Sequence, residues 1–148
     1  MSRGAISDPM RHIKKLPAAC LVVLLASPAY AQSFMVGTWF GQGQPHAKES
    51  MYIDRMRADG SWRGEYRTCR KGKTSSDQVQ EGRWLLSGDN LILKVEVVDG
   101  HHEPRTDNYK MLAHTATTQK YVSLGWNFPY TPKKVVDDFQ MPSCELTS

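Results

Sequence analysis

The sequence predicts an antiparallel all-β fold, an up-and-down meander of about eight strands closing into a barrel, with a two-sheet sandwich as the alternative closure. Three observations carry this. Segments of period-two alternation recur from Phe34 to Phe139, tight-turn pairs separate them, and amphipathic helical spacing is absent after Gln32 except for a short stretch at Lys133 to Phe139 that could form one turn or two.

The predicted strands, in order, are Phe34 to Gly41, Ser50 to Arg57, Trp62 to Arg70, Gly82 to Ser87, Asn90 to Val98, Asp107 to His114, Lys120 to Phe128 and Lys134 to Phe139. Asp59-Gly60, Ser87-Gly88-Asp89-Asn90 and Asp99-Gly100 stand at hairpin positions, and such short connections pair neighbouring strands antiparallel. In the fifth segment Leu91, Leu93, Val95 and Val97 share one face, while Ile92, Lys94, Glu96 and Val98 share the other. In the third, Trp62, Gly64, Tyr66 and Thr68 oppose Arg63, Glu65, Arg67 and Cys69. Thr74 to Gln80 and His101 to Asp107, the latter containing Pro104, read as polar loops.

The first 31 residues read as a secretory signal peptide. Arg11, Lys14 and Lys15 precede an apolar run from Leu16 to Ala26, and Ala29-Tyr30-Ala31 is a small-x-small cleavage site that places the mature start at Gln32. Met10 heads the charged segment and is a more ordinary signal start than Met1. The run is too short to span a bilayer, and Cys20 precedes the apolar leucines and valines rather than following them, which argues against lipidation. The destination is therefore the periplasm or the medium, and residues 32–148 form one domain.

Cleavage removes four cations and one anion, so the formal charge of +4 falls to about +1. That leaves little support for a nucleic-acid partner, which requires a persistent cationic surface. Cleavage also leaves two cysteines, Cys69 and Cys144. In an oxidising compartment, without C-x-x-C spacing or further thiols, a structural disulfide is the expected state.

One short pattern recurs: Gly37-Thr38-Trp39, Gly60-Ser61-Trp62 and Gly82-Arg83-Trp84. A glycine two residues before a tryptophan shares its strand face and leaves room for the indole. With Gly82-Arg83-Trp84-Leu85-Leu86-Ser87-Gly88-Asp89-Asn90-Leu91-Ile92-Leu93, the pattern resembles small bacterial lipocalin-like, or calycin-type, domains over most of residues 34 to 128. The resemblance implies a barrel with an internal cavity for small apolar ligands, and a first-strand Trp packed on an arginine of the last strand; that strand here offers Lys133 and Lys134. Gly37 to Gly43 is also similar to the opening strand of nitrobindin-type haem barrels. Those use a histidine late in the chain, whereas His114 is the last one here, so no cofactor is expected.

Candidate ligand-binding residues are the strand aromatics Trp39, Trp62, Tyr66, Trp84, Tyr109, Tyr121 and Trp126, which either fill a core or line a pocket. Arg63 and Arg67 share a strand face and suit an anionic head group if that face lines the barrel mouth; a solvated face with cross-strand ion pairs is the simpler expectation. Asp137 and Asp138 are adjacent and would point to opposite faces, His101-His102-Glu103 sits at a hairpin tip, and no catalytic or zinc spacing is present, so neither catalysis nor a metal is expected. The functional expectation is an exported, non-enzymatic barrel that binds a small apolar or amphipathic ligand in its interior. The alternative is a module that binds an envelope protein, such as an inhibitor of a lysozyme-type hydrolase, through residues 72–80 and 100–107.

Overall fold

The computed structural model describes residues 33–147, so the expected signal segment and the expected cleavage between Ala31 and Gln32 lie outside the described residues. Nine strands form one antiparallel sheet: β1 Gly37–Gln44, β2 Ala47–Met56, β3 Ser61–Arg70, β4 Lys73–Ser87, β5 Asn90–Val98, β6 His101–His114, β7 Gln119–Ser123, β8 Pro129–Tyr130 and β9 Lys133–Val135. Strands β1 to β8 pair in chain order and β9 adds to the outer edge of β1, so the sheet is an up-and-down meander. The sheet curls into a half-barrel whose two ends meet along β9. That strand pairs with Thr38–Phe40 on one side, and on the other Thr118 bridges Lys133 while Gln119 N–H donates to Pro132 C=O at 3.1 Å.

At the opposite end the sheet stays open. From His101 to Asn108 the second edge of β6 carries no strand among the described residues, because β7 pairs only with Tyr109–His114. One backbone bond, Leu124 N–H to Asn108 C=O at 2.9 Å, continues the contact.

Both segments read from sequence as polar loops are strands. Thr74 to Gln80 belongs to β4 and pairs with β3 from Gly64↔Gln80 to Cys69↔Thr74, and His101 to Asp107 belongs to β6 and pairs with β5. Their polarity hid them, because the inner face at this end is itself polar and supplies no hydrophobic alternation. Pro104 is accommodated where β6 runs as an edge strand. The contact elements expected at 72–80 and 100–107 are thus mostly sheet rather than loop.

Other boundaries shift for local reasons. The seventh segment stops at Ser123, where a turn through Asn127, with φ of 50°, reverses the chain before β8. The eighth keeps strand pairing only over Lys133–Val135. A β-bulge between Val95 and Val97 changes the phase of β5, so Val98 rather than Val97 joins Leu91, Leu93 and Val95 in the core.

The core lies inside the barrel at its closed end and contains Met35, Trp39, Met56, Trp62, Trp84, Leu91, Leu93 and Met111. Three indoles there have satisfied N–H groups: Trp39 Nε1 donates to Met35 C=O at 2.8 Å, Trp62 Nε1 to Asp54 Oδ1 at 2.9 Å, and Trp84 Nε1 to Arg57 C=O at 2.9 Å. Lys134, opposite Trp39 in the β1–β9 pairing, holds its Nζ 5.4 Å from the Trp39 ring centre and donates to Val36 C=O at 2.9 Å.

A second, smaller cluster forms on the outer face, where the chain after β9 is strapped across β1, β2 and β3. Phe139 packs on Phe40 with ring centres 5.1 Å apart, and Arg55 and Arg67 donate to the carbonyls of Phe139 and Pro142 at 2.7 and 3.0 Å. The Cys69–Cys144 disulfide fixes the strap and packs with Met51 and Met141. This accounts for β2, which is buried on both faces from Ser50 to Asp54.

Candidate functional site at the open end

Above the indole layer the interior changes chemistry. Alternation along β2 turns Tyr52, Asp54 and Met56 inward, and β3, β6, β7 and β8 add Tyr66, Tyr109, Tyr121 and Tyr130. The rings meet mostly edge to face: Tyr109 to Tyr121 at 82°, Tyr109 to Tyr130 at 74°, and Tyr52 to Tyr130 at 86°. Two glycines make this packing feasible. A side-chain carbon on Gly41 would overlap the Tyr52 ring, and one on Gly64 would lie 2.6 Å from Trp62 and 2.8 Å from Tyr66.

Asp54 sits at the base of the tyrosine layer, only 4% exposed. Burial raises its carboxyl to about 6, against the opposing effect of hydrogen bonds from the Trp62 indole and the Tyr121 hydroxyl. Burial also raises Tyr52, Tyr66, Tyr109 and Tyr121, and the Asp54 charge adds to the rise in each. Tyr130, nearer the surface, is raised to about 12, chiefly by burial. All five therefore stay neutral phenols at ordinary pH. The Tyr121 hydroxyl stands beside both Asp54 and Tyr52, and Tyr52 Oη completes no well-formed hydrogen bond of its own.

Between this layer and solvent lies a cleft of about 760 Å³, bounded by the β1–β2 turn at Gln44 to His46, by Arg105 to Tyr109 of β6, and by the β7–β8 turn with Leu124 and Trp126. It shares the lining residues Gln44, Arg105, Asp107 and Tyr109 with a polar recess of about 240 Å³ that reaches Tyr66, Thr68, Ser76, Gln78 and Gln80. A hydrogen-bonded chain orders the wall of that recess. Arg105 donates to Asp107 at 3.2 Å and to Gln80 Oε1 at 2.7 Å, and Gln80 Nε2 donates to Gln78 Oε1 at 2.6 Å.

The residues predicted from sequence divide among three places. Trp39, Trp62 and Trp84 fill the closed end at 1%, 2% and 6% exposure and border neither space. Tyr121 is buried in the tyrosine layer, while Tyr66 and Tyr109 reach the cleft or its recess. Trp126 leaves the sheet for the β7–β8 turn, where it is 68% exposed and meets the His46 ring edge-on at 6.0 Å. Arg63 and Arg67 lie on the outer face, away from the cleft: Arg63 pairs with Glu81 at 2.7 Å and Glu65 at 3.3 Å, and Arg67 binds both oxygens of Asp77. That bond holds the Asp77 carboxyl below its ordinary range. Both arginines are thus paired with carboxylates of the chain itself.

Sequence reasoning missed Asp54, Tyr52, Tyr130, Arg105 and the glutamines. Asp54 carried a usable signal, since it shares a strand face with Tyr52 and Met56. The glutamines carried none, lying in a stretch without apolar alternation. The Gly-x-Trp rationale also fails in detail: Gly37 makes room for Lys134, Gly82 lies against the Lys94 carbonyl, and Gly60 supplies a turn with φ of 82°. No set of His, Cys, Asp and Glu side chains among the described residues could hold a metal ion. His114 is stacked on Phe34 with ring centres 3.7 Å apart. No family model and no curated protein matches the chain.

Proposed function

We propose that the protein is an exported, non-catalytic, lipocalin-like barrel that binds a small amphipathic ligand at its open end. The observation that carries this is the cleft of about 760 Å³ with its polar recess, a size within the usual range for small-molecule sites, set on a rigid sheet and left open by the short β7 and β8. The aromatic rim of Tyr109, Tyr130 and Trp126 offers apolar contact, and the glutamines and Arg105 offer directional hydrogen bonds. The lipocalin-like reading is supported by the up-and-down meander and by Lys134 over Trp39, where the resemblance implies an arginine. Export is supported by the N-terminal segment and by the Cys69–Cys144 disulfide, which persists in oxidising compartments.

The test is to express the full chain in a bacterial host, purify it from the periplasm, and compare native and denatured masses. The expected result is a denatured mass equal to residues 32–148 less two hydrogens, with additional native mass that disappears on denaturation. Identical native and denatured masses, with no binding of laurate or of neutral saccharides added afterwards, would remove the ligand-binding reading.

A further inference from the structure

Three properties of the open end restrict what can occupy it. The first is depth. A long acyl chain needs an apolar tunnel, but Trp39, Trp62, Trp84 and Met56 fill the closed end and the tyrosine layer lies above them, while the recess beneath the cleft is walled by Thr68, Ser76, Gln78 and Gln80. Leaving such polar groups against hydrocarbon costs their lost hydration. The buried part of the ligand must therefore be polar.

The second is charge. Arg105 and Asp107 face each other at 3.2 Å within the site, so together they add no net charge for a strongly charged ligand to meet. The remaining hydrogen-bonding groups are mostly amides and hydroxyls, each able to donate and accept in the way a neutral hydroxylated molecule requires.

The third is the shape of the aromatic surface. Trp126 is 68% exposed at the rim, and Tyr109 and Tyr130 cross at 74°, so the rings present single faces and edges rather than two parallel plates. A planar base needs such plates for a sandwich; a puckered ring with one apolar face does not. A molecule that is neutral, hydroxylated around its edge and apolar on one face is a saccharide.

We propose that the open-end cleft binds a neutral saccharide, with a sugar face on Trp126 and hydroxyls directed to Ser76 and Gln78 of the recess. This rests on the ligand-binding reading and names the chemical class for it.

The experiment is calorimetric titration of the mature, disulfide-bonded protein with cellotriose, maltotriose and chitotriose, and in parallel with laurate and adenosine. At least one trisaccharide is expected to bind, about tenfold more weakly to Trp126→Ala and to Gln78→Ala, the scale of one lost ring or hydrogen-bond contact. Both substitutions lie at exposed positions, and unchanged circular dichroism checks that the fold is retained. Binding of laurate or adenosine without any trisaccharide would overturn the saccharide assignment and leave the ligand-binding reading standing. Failure of every probe would overturn both, and trisaccharide binding indifferent to both substitutions would overturn the location.

Discussion

The closed and open ends of this barrel are built from the same strands and the same alternation, yet they differ in every property that bears on function. At the closed end three indoles, three methionines and the aliphatic residues of β5 fill the interior, and each indole N–H finds an acceptor. At the open end, tyrosines, glutamines and one Arg–Asp pair line a space that the protein's own side chains do not fill. The difference teaches that apolar packing and a polar, unfilled lining are separated along the barrel axis. Apolar packing at one end holds the strands in place, so the other can present polar groups without collapsing on them.

If that separation holds, substitutions should sort by end. The largest effect is expected from Trp39→Ala, which removes a 1% exposed indole and its bond to Met35 and should cost about 3 to 5 kcal/mol in urea unfolding. Loss of less than about 1 kcal/mol would mean that the closed end is not the stabilising half. Next comes the strap on the outer face: Cys69→Ser with Cys144→Ser opens a link 75 residues apart in sequence and should lower stability by about 2 to 5 kcal/mol, read by the same unfolding curves.

Asp54 marks the boundary between the ends and gives a pH-dependent test. Its carboxyl is raised from 3.8 to about 6, so ionisation is harder in the folded state than in the unfolded one. The corresponding stability is fully present below about pH 4 and is lost as pH rises through 6. Asp54→Asn removes this loss, so the stability of the variant relative to the parent should rise between pH 4 and pH 8 by up to about 3 kcal/mol. A pH-independent difference would show that Asp54 is not held in the dry environment described. The smallest stability effect belongs to the open end, where Trp126→Ala should change unfolding by no more than about 0.5 kcal/mol while weakening ligand binding about tenfold. A large loss of stability there would break the comparison.

The sequence made the closed end far more legible than the open one, for a physical reason. Period-two alternation reveals a strand only where one face is dry, so β3, β5 and the second half of β4 could be read directly, and the two-cysteine count indicated the disulfide that the structure contains. Lys73–Gln78 and His101–Thr106 extend the same sheet with mostly polar residues on both faces, which hid them. They bring in Ser76, Gln78 and Arg105, the residues that make the recess. The aromatics were identifiable as a set, but their division was not: whether an indole fills the core, as Trp84 does, or stands at the rim, as Trp126 does, depends on where β7 turns. The bulge in β5, which exchanges Val97 for Val98, and the strap over β2, which buries Ile53 on the face opposite Tyr52, depend on long-range pairing that alternation does not encode.

The most direct test of the division between ends uses the four tryptophans themselves, three of them buried and Trp126 exposed. Fluorine NMR of the fluorotryptophan-labelled protein, titrated with chitotriose, cellotriose and laurate, resolves a signal from each. The account predicts that the bound probe moves the Trp126 resonance and leaves those of Trp39 and Trp84 in place. Movement of Trp39 or Trp84 with Trp126 unchanged would place the ligand in the packed end and contradict it.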